Sequence, residues 1–129
     1  MTQKEITAFA QLLVQKVRDN AIRSSDNQLH AQNMNAPIAR RWREAREKGD
    51  IDKFGESIIA DCVDNTIFYL LLAIDEELIN LSFKSSNGEN VALSDEIVGE
   101  LGGWYMGEWR FEYSSERVSN DLDELRGTL

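Results

Sequence analysis

Apolar positions at helical spacing open the chain. They recur at Ile6, Phe9, Leu13 and Val17. Thr2 and Glu5 form a capping-box pattern before them, so we predict a first helix that ends at about Ile22. The polar run over residues 24–35 has no periodic apolar pattern and is predicted to be an irregular connection.

Two further helices are predicted between residues 36 and 75. Pro37 suits the first turn of a helix and Gly49 its C-terminal stop, so the second helix is expected over about 36–48. Asp50 is placed to cap a third helix, which becomes apolar on nearly all sides from Ile67 onward. A helix of this kind is covered by several neighbours, so we expect it to be the central helix.

The apolar period changes after residue 78. Residues 79–83 and 91–93 alternate apolar and polar positions on either side of an Asn-Gly turn signal, which predicts a hairpin. Trp109, Phe111 and Tyr113 repeat this alternation, so they are expected to form a third strand with its aromatic face in the core. A short helix is predicted over 94–101 and a C-terminal helix within the tail 114–129.

These elements predict an α+β protein that forms a single domain over residues 1–129. Three N-terminal helices would pack on one face of a small three-stranded antiparallel sheet, with a short helix before the last strand and a C-terminal helix. A chain of 129 residues that is 42% hydrophobic is long enough to bury one core.

The net charge of −9 is unevenly distributed. Residues 1–49 hold nine Lys/Arg and five Asp/Glu, a balance of +4, whereas residues 50–129 hold five and eighteen, a balance of −13. An acidic excess of this size favours encounters with basic partners and disfavours nucleic acid and anionic membranes. Solubility alone is the alternative explanation.

The sequence also gives an expectation for the cellular compartment of the protein. The N-terminus has no basic segment followed by an apolar run, and the longest apolar stretch, Ile67 to Ile74, is too short to span a membrane. The single cysteine, Cys62, cannot form an intramolecular disulfide and is expected to be a small buried hydrophobic residue. We therefore expect a cytoplasmic protein with no membrane partner.

Paired acids on the second and third helices suggest one enzymatic alternative. The spacing of Glu44 with Glu47 and of Asp61 with Asp64 resembles the acidic helices of the MazG-like and dimeric dUTPase group, and Asp75 falls in the same sector as the aspartates. The resemblance implies a Mg²⁺-dependent nucleotide pyrophosphohydrolase that uses those four residues. Surface acids in local ion pairs are the competing explanation.

Other catalytic patterns are missing from the sequence. It has no phosphate-binding glycine loop, no zinc spacing and no nucleophile elbow, so no cofactor is expected. A basic cluster surrounds Trp42, but the glutamates beside it and the acidic remainder of the chain make nucleic acid an unfavoured partner.

An acidic and aromatic segment near residue 104 supports the preferred hypothesis. Trp104 and Tyr105 lie between glycines, where a loop could present them to a partner, and Glu100 and Glu108 could steer a basic protein toward them. The hypothesis is a non-enzymatic protein-binding module. Small acidic immunity proteins, which neutralise basic nuclease toxins in bacterial competition, are similar in size and charge. Two alternatives stay open, a core role for the tryptophans and a homodimer without a further partner.

Overall fold

Four helices account for most of the structure, a computed structural model that describes residues 3–31, 36–93 and 99–119. Helix α1 covers residues 3–30 and consists of α-helical Gln3–Leu12, π-helical Leu13–Arg18 and α-helical Asp19–His30. Helix α2 is Pro37–Glu47 and helix α3 is Ile51–Asp75. Helix α4 covers residues 101–113, with Leu101–Trp104, a π-helical segment Tyr105–Trp109, and Arg110–Tyr113.

A short hairpin separates α3 from α4. Strands β1 (Ser82–Lys84) and β2 (Asn90–Ala92) pair antiparallel, with Phe83 opposite Val91. Gly88 has a φ of 87°, a left-handed conformation that glycine adopts without strain. The hairpin predicted at the Asn-Gly signal is therefore confirmed.

The predicted fold class is wrong. Within the described residues the sheet has two strands, and Trp109–Tyr113 belong to helix α4 instead of a third strand. The protein is mostly helical, and its helices pack mainly on one another. It is not an α+β domain in which three N-terminal helices pack on a sheet. Five residues can satisfy a period of two and a period of 3.6 equally well, and here Leu101, Tyr105 and Trp109 continue the four-residue spacing of a helix into the segment.

Other boundaries differ for physical reasons. Helix α1 continues to His30, past the predicted end at Ile22. The apolar pattern did not reveal this extension because the helix makes polar contacts there: the Ser25 hydroxyl accepts a hydrogen bond from the Asn65 amide. The Asp50 cap is present, with its carboxylate accepting from the Lys53 amide at 3.1 Å. Three predicted features lie wholly or partly outside the described residues: Thr2 of the capping box, most of the 94–101 helix, and residues 120–129 of the C-terminal helix. Residues 114–119, which the C-terminal helix was also expected to include, are not helical.

The core is centred on α3, as predicted. Contacts join α3 to each of the other three helices. The buried apolar cluster joins α1, α3, α4 and the segment between α3 and the hairpin, and its buried members are Val17, Ala73, Ile74, Ile79 and Leu101. Among the described residues, α3 is the one helix long and apolar enough to cross a membrane, by a test of length and composition that core helices also pass.

Helix α4 begins in close contact with the end of α3. The backbone amides of Leu101 and Gly102 donate to the two carboxylate oxygens of Asp75, at 2.9 and 3.0 Å. Asp75 therefore caps α4 from another helix and places a negative charge at its N-terminus. A Cβ atom on Gly102 would lie 3.0 Å from the ring of Phe68, so a larger residue would require that ring to move by a few tenths of an ångström.

Gly102→Ala is expected to lower the free energy of unfolding by about 1–3 kcal/mol, because the added methyl group overpacks the contact with Phe68. Gly103→Ala is the matched control. A Cβ there meets nothing within 4 Å, and alanine favours the helix by roughly 0.5–1 kcal/mol. Urea unfolding of both variants measures the difference, and equal effects would contradict the close approach at Gly102.

Candidate partner-binding site

The three aspartates of α3 that the sequence places in one sector each bind a different group. Asp61 is buried, with a side chain 4% exposed, and binds α2. The guanidinium of Arg41 donates to both of its oxygens, at 2.8 and 3.2 Å, and the indole N–H of Trp42 donates at 2.7 Å. Asp61 thus holds α2 against α3 through a charged and fully directional contact.

Asp64 binds two side chains of α4. The hydroxyl of Tyr105 donates to one oxygen at 2.7 Å, and Nη1 of Arg110 donates to the other at 2.8 Å. Arg110, itself 7% exposed, also donates to the carbonyl oxygens of Met106 and Ser119. Every guanidinium nitrogen of Arg110 is therefore occupied by a partner, and the side chain serves as a structural link.

These contacts bear on the predicted metal ligands. Glu44 and Glu47 are exposed on α2, whereas the carboxylates of Asp61 and Asp64 face the cations and donors just described. Within residues 3–31, 36–93 and 99–119, no three His, Cys, Asp or Glu side chains form a group suited to a metal ion. A Mg²⁺-dependent pyrophosphohydrolase site at these four residues would require Asp61 and Asp64 to leave their present partners.

A cleft of about 470 Å³ opens beside the Asp64 pair. Tyr105, Trp109 and Tyr113, one helical turn apart on α4, give it an aromatic wall. Asp64 and Arg110 also line it, and the segment after α4 completes the boundary with Ser114, Arg117 and Val118. The arrangement offers an apolar surface with a few polar groups, which is typical of a recognition pocket.

The phenol of Tyr105 is held in its protonated form. Burial raises the pKa of Tyr105 to about 12, and the hydrogen bond to Asp64 and the negative charge of that carboxylate act in the same direction, while Arg110 acts against them. Because the neutral phenol is the hydrogen-bond donor, Tyr105 remains anchored to α3 throughout the physiological pH range.

The predicted contact residues occupy different positions in this site. Tyr105 lines the cleft, whereas Trp104 does not line it and is half-buried, with its ring edge-on to Trp109 at 6.1 Å. Glu100 and Glu108 are exposed. The segment is helical instead of the predicted loop, and the assignment of these residues to partner binding stays a prediction.

Two aromatic residues assigned to the core from sequence line the cleft, and one of them, Trp109, also packs against the buried apolar cluster as predicted. Tyr113 is 75% exposed and Trp109 is half-buried, and both line the cavity. Phe111, expected in the same core, is 43% exposed. The spacing of Tyr105, Trp109 and Tyr113 at i, i+4 and i+8 is the sequence signal that would have grouped them on one helical face.

Comparison with known proteins identifies no relative of this chain. No family model matches the chain, and neither a curated protein nor a solved structure matches it.

Asp61→Asn is expected to lower the free energy of unfolding by about 3 kcal/mol, because it removes the buried negative charge that accepts from Arg41 and Trp42 and replaces one acceptor oxygen with an amide donor. Asp52→Asn, an exposed change in the first turn of the same helix, is the control and should cost about 0.5 kcal/mol. Urea unfolding measures both. A loss at Asp61 no larger than at Asp52 would show that the pair does not hold α2.

Tyr105 should ionise late in an alkaline titration followed by ultraviolet absorbance. The wild-type minus Tyr105→Phe difference should contain a phenol with a pKa near 12. Because the folded pKa is raised above the usual 10.0, the stabilisation is complete below pH 10.0 and is lost as the pH rises through about 12. A difference curve centred at the usual value would contradict the buried hydrogen bond to Asp64.

Proposed function

We propose that this chain is a protein-binding module that acts without catalysis of its own and binds a basic protein at the Tyr105 cleft. The observation that carries the proposal is the aromatic wall of Tyr105, Trp109 and Tyr113, open to solvent within the acidic part of the chain. We also propose a cytoplasmic location, on the sequence evidence alone.

The shape of the cleft supports an anchoring role. Tyrosine and tryptophan supply large contact areas at a low cost in conformational entropy, and residues of these types dominate the energetics of many protein interfaces. A volume of about 470 Å³ has room for one or two large side chains of a partner. Since Tyr105 and Arg110 are tied to Asp64, the floor of the cleft is already ordered before a partner arrives.

The exposed acids of α4 support a basic partner, although the cleft lining itself carries Arg110 and Arg117 beside Asp64. Glu108, Glu112 and Glu116 are exposed along α4 and just beyond it, and residues 50–129 carry a balance of −13. Acidic groups at the rim of an interface accelerate the approach of a cationic protein and lose this effect as salt increases. Neutralising a basic toxin, as an immunity protein does, is the role we propose for such an interaction.

An unbiased peptide library displayed on phage tests the cleft without knowledge of the natural partner. Selection on the wild-type protein should enrich peptides that combine Lys or Arg with a large apolar or aromatic side chain. The selected peptide should bind Tyr113→Ala about tenfold more weakly, the loss of one hot-spot contact. Its affinity should also fall with increasing salt.

Phe83→Ala is the matched control. Phe83 is an aromatic residue 52% exposed on β1, outside the cleft, so truncating it should leave the peptide affinity unchanged. Glu108→Lys should slow association while leaving the dissociation rate nearly constant, as expected for a steering charge at the rim. Enrichment of acidic peptides, or equal binding to wild type and Tyr113→Ala, would refute the proposed site.

A further inference from the structure

A second surface lies on the other side of α3 from the Tyr105 cleft. It is an apolar groove of about 460 Å³ between α1 and α3, to which α3 contributes Cys62 and Thr66. At 100° per residue these two positions are about 160° around the helix from Asp64. The groove is therefore spatially independent of the proposed partner site.

Large aliphatic side chains remain uncovered along this surface. Val14 and Ile22 of α1 are 45% and 42% exposed, and Ile59 and Val63 of α3 are 58% and 52% exposed. Val14 and Ile22 line the groove itself, while Ile59 and Val63 extend it along the helical stripe that contains Cys62 and Thr66. A contiguous apolar strip of this kind marks an interaction surface more often than a solvent-facing one.

A cation and an anion lie on either side of Ile22 in the groove. Arg18 and Asp26 both line the groove, one helical turn before and one after Ile22. Arg18 is largely exposed and at present contacts the adjacent Asp19 at 3.3 Å, a weak pair that a better-placed carboxylate can replace. A row of cation, aliphatic residue and anion is complementary to the same row running in the opposite direction.

We propose that this groove is the contact face of a symmetric homodimer in which two α1 helices run antiparallel and meet at Ile22. A two-fold axis at Ile22 brings Arg18 of each copy opposite Asp26 of the other, so both charges are paired as the aliphatic side chains are covered. Two-fold symmetry is the commonest arrangement of soluble oligomers and requires this kind of self-complementary surface.

A second copy fits the groove better than a membrane surface does. An anionic lipid layer would attract Arg18 but would repel Asp26, which lies on the same surface at the other side of Ile22. The symmetric arrangement leaves neither charge opposed to a like charge. The chemistry of the groove thus selects a partner that carries the same two charges in reverse order.

Charge exchange between Arg18 and Asp26 tests the proposal by sedimentation equilibrium. The wild-type chain should be dimeric, and R18D and D26R should each raise the dimer dissociation constant about tenfold or more, because both interface pairs become repulsive. R18D/D26R should return to the wild-type value. Mixing the two single variants should yield a heterodimer tighter than either homodimer, since every pair is then Arg with Asp.

A control variant tests whether the charge effect is specific to the groove, and the reactivity of Cys62 tests whether the dimer contact lies there. Arg23→Asp makes the same charge change on α1 but on a side that lines a different, polar cleft, so its dimer should match wild type. Alkylation of Cys62 in the groove should slow as protein concentration rises in wild type but not in R18D. Three outcomes would overturn the proposal: a monomeric wild type at all concentrations, an R18D dimer as tight as wild type, or a monomer that binds anionic vesicles.

Discussion

A carboxylate withdrawn from water must find a cation or a set of hydrogen-bond donors, and α3 carries this requirement at three positions. Asp61 satisfies it with α2, Asp64 with the side chains of α4, and Asp75 with the first amides of α4. The apolar core brings the helices together, but these directional contacts decide where along α3 each neighbour docks. Helix positions, and with them the Tyr105 cleft, follow from the pairing of these acids.

The parts of the fold that could be predicted from sequence are those encoded locally. The Asp50 cap and the Asn-Gly hairpin each depend on a few adjacent residues. The partners of Asp61 and Asp64 lie 20 and 46 residues away in sequence, so their spacing on α3 revealed a shared sector but not what would occupy it. The spacing alone therefore did not identify whether ion pairs or a metal ion would occupy that sector.

The misassigned strand shows how local period can mislead about a site. Alternation over Trp109–Tyr113 suggested one buried aromatic face, and the glycines before it suggested a loop. In the structure Gly102 serves close packing against Phe68, and the aromatic residues follow a four-residue period along α4. Both surfaces of interest also include a π-helical segment, Leu13–Arg18 at the groove and Tyr105–Trp109 at the cleft, a type of local irregularity frequent at functional sites.

The sequence separations of the three aspartate contacts also imply an order of assembly. The Asp61 contact with α2 closes the shortest loop, the Asp75 contact a longer one and the Asp64 contact the longest, and the entropic cost of closure increases in the same order. During synthesis α2 and α3 emerge before α4, so their pairing can precede its arrival. Until then the carboxylates of Asp64 and Asp75 lie on a face of α3 that α4 does not yet cover.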